Sequence, residues 1–111
     1  MPDITKTKEY KRLKAAMIEQ AERRTPPGED VDKVVLDMID TYMDEWRNLQ
    51  GLQHDIDDRG VMVVTPSSGN IRVNESIGAK NKVSANMLKI LSQLHFDEPA
   101  PEFESEEDDE M

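Results

Sequence analysis

A wide apolar stripe runs through residues 31–50 of this chain of 111 residues. Apolar residues recur there at spacings of three and four, which is the period of one face of an α-helix. The stripe consists of Val31, Val35, Met38, Ile39, Tyr42, Met43, Trp46 and Leu49. The pattern continues to about Asp58, although Gly51 weakens it by up to about 1 kcal/mol. The sequence therefore predicts a long spine helix, and such a helix is also a candidate subunit interface.

Two shorter amphipathic patterns flank this spine helix. Residues 5–24 predict a first helix with Thr5 as its N-cap, and residues 75–94 predict a last helix with Asn74 as its N-cap. The stretch "RTPPGED" separates the first two helices, because two prolines and a glycine do not continue a helix. Either Glu29 or Asp30 is the expected cap of the spine helix.

A short β-hairpin is predicted between the spine helix and the last helix. The runs "VMVV" and "NIRVN" favour strands, and "TPSSGN" between them has the composition of a turn. Gly60, just before the first run, is a suitable left-handed stop for the spine helix. A lone hairpin is marginal in water, so it must pack on helices or on a neighbouring subunit. We interpret it as an architectural or subunit-contact element.

The predicted fold class is therefore mainly α, with three helices, one β-hairpin between the second and third, and a disordered acidic C-terminal tail. We divide the chain into a basic N-terminal helix or arm (1–24), a helix–hairpin–helix core and oligomerisation region (25–96) and the tail (97–111). The residues expected in the core or the oligomer contact are Val35, Ile39, Tyr42, Trp46, Leu49, Met87, Ile90 and Leu91. A core of this size is thin, and self-association is one way to bury more apolar surface.

The net charge of −10 is unevenly distributed. Residues 1–24 hold seven Lys/Arg against four Asp/Glu, and residues 61–96 hold four against one. The acidic excess lies in residues 25–60 and in the last fifteen residues, which hold nine acids and no base. Overall acidity therefore does not exclude nucleic acid as a partner, because the distribution of charge matters more than its total.

Signals for catalysis are absent from the sequence. It has no glycine-rich phosphate loop, no cysteine and no nucleophile elbow, and its two histidines lie in polar surroundings. His54, Asp55, Asp57 and Asp58 match no known cation loop, so we interpret them as a solvated acidic helix end. We expect no enzyme activity, no cofactor and no metal. No apolar run approaches the roughly 18 residues of a membrane span, and the N-terminus lacks the apolar region of a signal peptide.

The order of elements resembles that of the phage terminase small-subunit family. The features that carry the resemblance are Tyr42 and Trp46 on the long helix, Gly60 at its end, a hairpin with Ser68-Gly69 at its turn, Asn74 at the next helix start, and "MLKILSQL" within that helix. The resemblance covers about residues 35–95 and points to the short branch with a hairpin before the last helix. Two departures are Glu75, where the family usually has proline, and the ending "HFDEPAPEF".

The resemblance implies a non-catalytic adaptor in viral genome packaging. Such subunits form homo-oligomeric rings in the host cytoplasm, recognise double-stranded viral DNA and recruit the large ATPase/nuclease subunit. In this chain the expected DNA-binding residues are Lys6, Lys8, Lys11, Arg12, Lys14, Arg23 and Arg24. A second candidate basic surface consists of Arg72, Lys80, Lys82 and Lys89, with the three lysines on the exposed side of the last helix.

The acidic tail has three interpretations: it docks on a basic face of the large subunit, it competes with DNA for the chain's own basic arm, or it only keeps the chain soluble. The residues expected to bind a partner are Phe103, Glu106, Glu107, Asp108 and Asp109. An alternative function for the whole chain is an acidic, helical protein-interaction regulator that does not bind DNA.

Overall fold

The computed structural model describes residues 7–103. In chain order the elements are α1 (Lys8–Arg23), α2 (Lys33–Arg59), β1 (Met62–Val64), β2 (Ile71–Val73) and α3 (Glu75–Gln93). The predicted mainly-α fold, with a hairpin between the second and third helices, is confirmed. Lys6 and the tail residues Glu106, Glu107, Asp108 and Asp109 lie outside the described residues.

The first helix begins later than predicted. Thr7, not Thr5, is its N-cap, because the Thr7 side chain accepts a hydrogen bond from the backbone N–H of Tyr10 at 3.3 Å. An N-cap oxygen satisfies one of the backbone donors that a helix start leaves unpaired. Thr5 lies outside the described residues.

The spine helix α2 has 27 residues and extends to Arg59, as the weakened pattern beyond Gly51 predicts. Its N-cap is Asp32, whose carboxylate accepts from the Val34 N–H at 2.9 Å, so the expectation of Glu29 or Asp30 was wrong. The helix ends at Gly60, which adopts a φ of +88° and a ψ of 174°. This conformation is essentially restricted to glycine. Glycine therefore ends the helix with a positive φ, but the predicted left-handed stop was wrong, because the ψ of 174° lies far from the left-handed helical region.

Both α1 and α3 run antiparallel to α2. On one side, Tyr10 packs on Trp46 with ring centroids 5.9 Å apart, and Lys14 lies 3.7 Å from Asp40. In the contact between α3 and α2, Asn86 reaches Glu45. Helix α2 therefore packs against both of the other helices.

The core lies among the three helices. Its buried apolar residues are Met17, Ala21, Ile39, Tyr42, Met43, Met87 and Leu94. The other predicted core residues are partly buried and pack against it; they are Val35, Trp46, Leu49, Ile90 and Leu91. Among the described residues of α2, none beyond Leu49 belongs to this core or packs on it. The last ten residues of α2, 50–59, therefore lie outside it.

The hairpin is a two-stranded antiparallel sheet with Met62 opposite Val73 and Val64 opposite Ile71. These four side chains share one face, because alternate residues of a strand point to the same side and paired residues lie side by side. All four are exposed, from 53% for Met62 to 70% for Ile71. The hairpin thus presents an apolar face that the rest of the described chain does not cover.

Candidate nucleic-acid interface

Three cations at the start of α1 project into solvent. Lys8, Lys11 and Arg12 are exposed, and none of them forms an ion pair with any residue from 7 to 103. Cations near a helix N-terminus interact unfavourably with the helix dipole. These three side chains therefore add little to the stability of the chain by itself, and they remain available for an anionic ligand.

Two other predicted DNA-binding cations have intramolecular partners. Lys14 lies 3.7 Å from Asp40 across the α1–α2 contact, and Arg23 pairs with Glu19 at 2.6 Å. Both pairs are largely exposed, and exposed pairs are worth only about 0–1 kcal/mol. A strong anion therefore competes for these two side chains, although less readily than for the three unpaired ones.

Arg24 is different, because it joins the end of α1 to the end of α3. Its guanidinium donates to the carbonyl oxygens of His95 at 3.1 Å and Glu98 at 2.5 Å. It also donates to the side-chain oxygen of Gln20 at 2.7 Å and lies 5.0 Å from the centroid of the Phe96 ring. The structure gives Arg24 a role in fixing the chain after α3, and no local sequence pattern indicated this contact across 71 residues.

The end of α3 is itself shaped to meet this guanidinium. His95 adopts a φ of +62°, and its N–H donates to the carbonyl of Ser92 while the N–H of Phe96 donates to that of Leu91, both at 3.0 Å. This pair of bonds satisfies the last carbonyls of a helix and turns the chain sharply. The turn exposes the His95 carbonyl to Arg24 and brings Phe96 back onto the core.

The second candidate basic surface divides into two parts. Lys82 and Lys89 are exposed on α3 and have no ion-pair partner in the described part of the chain. The placement of Lys80 on the exposed side was wrong, since it is half-buried and donates to the side-chain oxygen of Gln53 on α2. Arg72 bonds to Glu75 and to the Thr65 hydroxyl, so it belongs to the hairpin base.

A buried amide organises the junction between α2, the hairpin and α3. Asn74 has no solvent exposure, and its side chain uses all of its hydrogen-bonding capacity. The amide nitrogen donates to Asp55 at 3.2 Å and to the Gly60 carbonyl at 3.0 Å. The amide oxygen accepts from the Ser76 N–H at 2.9 Å and from Arg59 at 3.0 Å. The predicted N-cap is confirmed, and it also joins three elements.

Charged groups surround this amide and fix its partners. Arg59 forms a two-point contact with Asp55 at 2.7 and 2.8 Å and donates to Glu75 at 3.0 Å. The bonds from Arg59, and then from Ser76, hold the pKa of Asp55 well below its usual range. The bond from Arg72 comes first among those that lower the pKa of Glu75 to about 2. The bonds from Arg59 to Asp55, and then to Glu75, raise the pKa of Arg59.

This network corrects the sequence interpretation of the end of α2. Asp57 and Asp58 are exposed, whereas Asp55 is bound by Arg59, Asn74 and Ser76 and is not simply solvated. Between residues 7 and 103, no group of three His, Cys, Asp or Glu side chains is placed to hold a metal ion. The sequence did contain a signal for the contact between Asp55 and Arg59. The two residues are four positions apart, and residues at that spacing are neighbours on the surface of a helix.

Comparison with known families adds to this geometry. The model of the family described as "Phage terminase, small subunit" matches residues 7–100. The chain belongs to the phage terminase small-subunit family. No curated protein and no solved structure matches it significantly.

The match to the terminase small-subunit family spans all three helices and the hairpin. It includes α1, and so extends beyond the residues 35–95 on which the sequence resemblance rested. Small subunits of terminases are generally non-catalytic. In the described range, no helix is both long and apolar enough to cross a membrane.

Proposed function

We propose that this chain is a non-catalytic DNA-recognition and regulatory adaptor in viral genome packaging in the host cytoplasm. It binds double-stranded viral DNA and recruits the large ATPase/nuclease subunit. The observation that carries the proposal is the group of exposed cations Lys8, Lys11 and Arg12 at the start of α1, none of which has an ion-pair partner among residues 7–103. Family membership supports the assignment to packaging.

The cations suit contact with phosphates better than the reading of bases. They lie within five residues of one another, so they cover little more than one turn of α1. Contacts of Lys and Arg with phosphates release counterions, and such binding weakens steeply as salt rises. Phosphate contacts position a protein on DNA without reading its sequence. We therefore assign to α1 the salt-dependent part of binding.

Assembly into a homo-oligomer, which we expect to be a ring, is the second part of the proposal. The exposed apolar face of the hairpin and the small core both support it, since contiguous exposed apolar surface marks interaction sites. The acidic tail is proposed to contact the large subunit through Phe103 and the acidic residues that follow it; Phe103 is 37% exposed.

The test is binding to a labelled DNA duplex at several salt concentrations. A variant with Lys8→Ala, Lys11→Ala and Arg12→Ala is expected to bind at least tenfold more weakly at low salt. The slope of log K against log salt should fall by about 2–3, since each phosphate that the protein neutralises adds roughly 0.9 to that slope. The matched control is Lys33→Ala with Arg47→Ala, which removes exposed cations from the acidic helix α2 and should leave the slope unchanged.

The alternative function is an acidic helical regulator that does not bind DNA. The seven acidic residues of α2 against its three basic ones are the observation in its favour. Absence of duplex binding by the parent chain at low salt would support this alternative. Equally weakened binding in the α1 variant and in its control would show that α1 is not the contact surface.

A further inference from the structure

The helices of the fold carry opposite net charges. Helix α2 holds seven acidic and three basic residues. Helix α1 holds five basic and three acidic residues, and α3 holds three lysines and one glutamate. Helix α2 is therefore acidic, and the two helices that pack against it are basic.

On each of the helices α3 and α2, two like charges lie seven residues apart. On α3 they are Lys82 and Lys89, which are exposed and have no ion-pair partner between residues 7 and 103. On α2 they are Asp37 and Asp44, whose side chains are 65% and 67% exposed. Seven residues are two helical turns, so each pair spans about 10.5 Å along one face of its helix. The two pairs match in spacing and are opposite in charge.

Among residues 7–103, the ion-pair partners of the two aspartates are loosely placed. Asp37 lies 3.7 Å from Lys33 and Asp44 lies 3.8 Å from Arg47, both longer than a good charge-assisted hydrogen bond. Exposed pairs of this kind contribute between nothing and about 1 kcal/mol. Both carboxylates therefore remain free to bind a better-placed cation.

Each face also carries an exposed apolar side chain beside its charges. Leu88 on α3 is 67% exposed and lies next to Lys89. Val34 on α2 is 65% exposed and lies one turn before Asp37. Small residues Gly78, Ala85 and Ser92 recur every seven positions along the outer face of α3, and small side chains allow another helix to approach closely. The two faces are thus opposite in charge, and each carries an apolar side chain that a contact between them would bury.

We infer that the lysine face of α3 (Lys82, Leu88, Lys89) in one copy of this chain docks on the aspartate face of α2 (Val34, Asp37, Asp44) in the next copy. Because the two faces differ and lie on different helices, the contact is head-to-tail and closes into a ring when its rotation closes. This inference rests on the proposed assembly and names its surfaces. It also assigns Lys82 and Lys89 to the subunit contact, leaving α1 as the DNA surface.

Charge reversal with rescue tests the contact, with the mass of the full chain followed by sedimentation velocity across a concentration series. Lys82→Glu with Lys89→Glu, and separately Asp37→Lys with Asp44→Lys, should each weaken association at least tenfold. The variant with all four substitutions should recover most of the parent's association, because the charges again complement each other. Far-UV circular dichroism establishes that every variant retains its helices.

Two control variants change the net charge equally at other places. They are Lys8→Glu with Arg12→Glu on α1, and Asp57→Lys with Asp58→Lys at the end of α2; both should associate like the parent. An assembled parent whose association survives either reversal, or is not recovered in the four-substitution variant, overturns this contact but leaves the proposed assembly standing. A parent that is monomeric throughout overturns the assembly itself. Loss of DNA binding with unchanged association in the Lys82/Lys89 variant would identify DNA as the occupant instead.

Discussion

At the scale of single residues, the structure depends most on Asn74. Its amide meets four partners that come from the end of α2, the residue after it and the start of α3. A fully satisfied buried amide fixes the relative positions of these segments, because any shift leaves a buried polar group unpaired. The hairpin therefore leaves the helices at a defined angle.

We expect Asn74→Ala to lower the free energy of unfolding by about 2–3 kcal/mol, because it removes both a helix cap and the partners of Asp55 and Arg59. Chemical denaturation measures this loss. Asn48→Ala, on the exposed side of α2, is the control and should change stability by less than about 0.5 kcal/mol. Similar effects of the two substitutions would contradict the role given to Asn74.

Glu75 makes the free energy of unfolding depend on pH in the acidic range. Its folded pKa of about 2 lies below its ordinary value of 4.5, so its contribution is fully present above about pH 4.5 and is lost as pH falls towards 2. The unfolding free energies of the parent and of Glu75→Gln should therefore differ at pH 6 and converge as pH falls. A difference between the parent and Glu75→Gln that stays the same from pH 6 to pH 2 would contradict this role of Glu75.

At the scale of the elements, most of the architecture could be predicted from local patterns. The stripe of α2, the Asn74 cap and the turn chemistry of the hairpin each depend on residues close together in sequence. The Arg24 contacts with His95 and Glu98, and the attachment of Lys80 to Gln53, join distant residues and leave no periodic signal. The caps Thr7 and Asp32 were missed because several capping residues stand near each helix start, and only packing selects among them.

Two glycines near the end of α2 should respond to alanine in opposite directions. Gly60→Ala forces a side chain into a backbone conformation with a φ of +88° and should cost about 1–3 kcal/mol. Gly51 lies within the helix, and a Cβ added there meets nothing within 4 Å, so Gly51→Ala should stabilise by about 0.5–1 kcal/mol. Thermal unfolding of the two variants compares them directly. A destabilised Gly51→Ala variant would mean that α2 needs flexibility at that point.

At the scale of the whole molecule, the chain after α3 takes part in the folded unit. Arg24 donates to the Glu98 carbonyl, and Pro99 and Pro101 line the groove beside it. The predicted division at residue 96 would separate these contacts from the helices. Chains ending at residue 103 and at residue 96 should therefore differ in unfolding free energy by about 1–2 kcal/mol, in favour of the longer chain. With Arg24→Ala in both chains, the difference should shrink.

The absence of core contacts beyond Leu49 on α2 has a consequence for motion. A helix segment held by few buried apolar contacts opens locally at lower free energy than the rest of the molecule. Backbone amides from about residue 52 to the first turn of α3 should exchange hydrogen with solvent well before those around Ile39 and Met43. We expect the hairpin to move together with the end of α2 as one unit, relative to a more rigid core of the three helices. Capture of a partner by the apolar hairpin face would slow that exchange without changing exchange at the centre of the core.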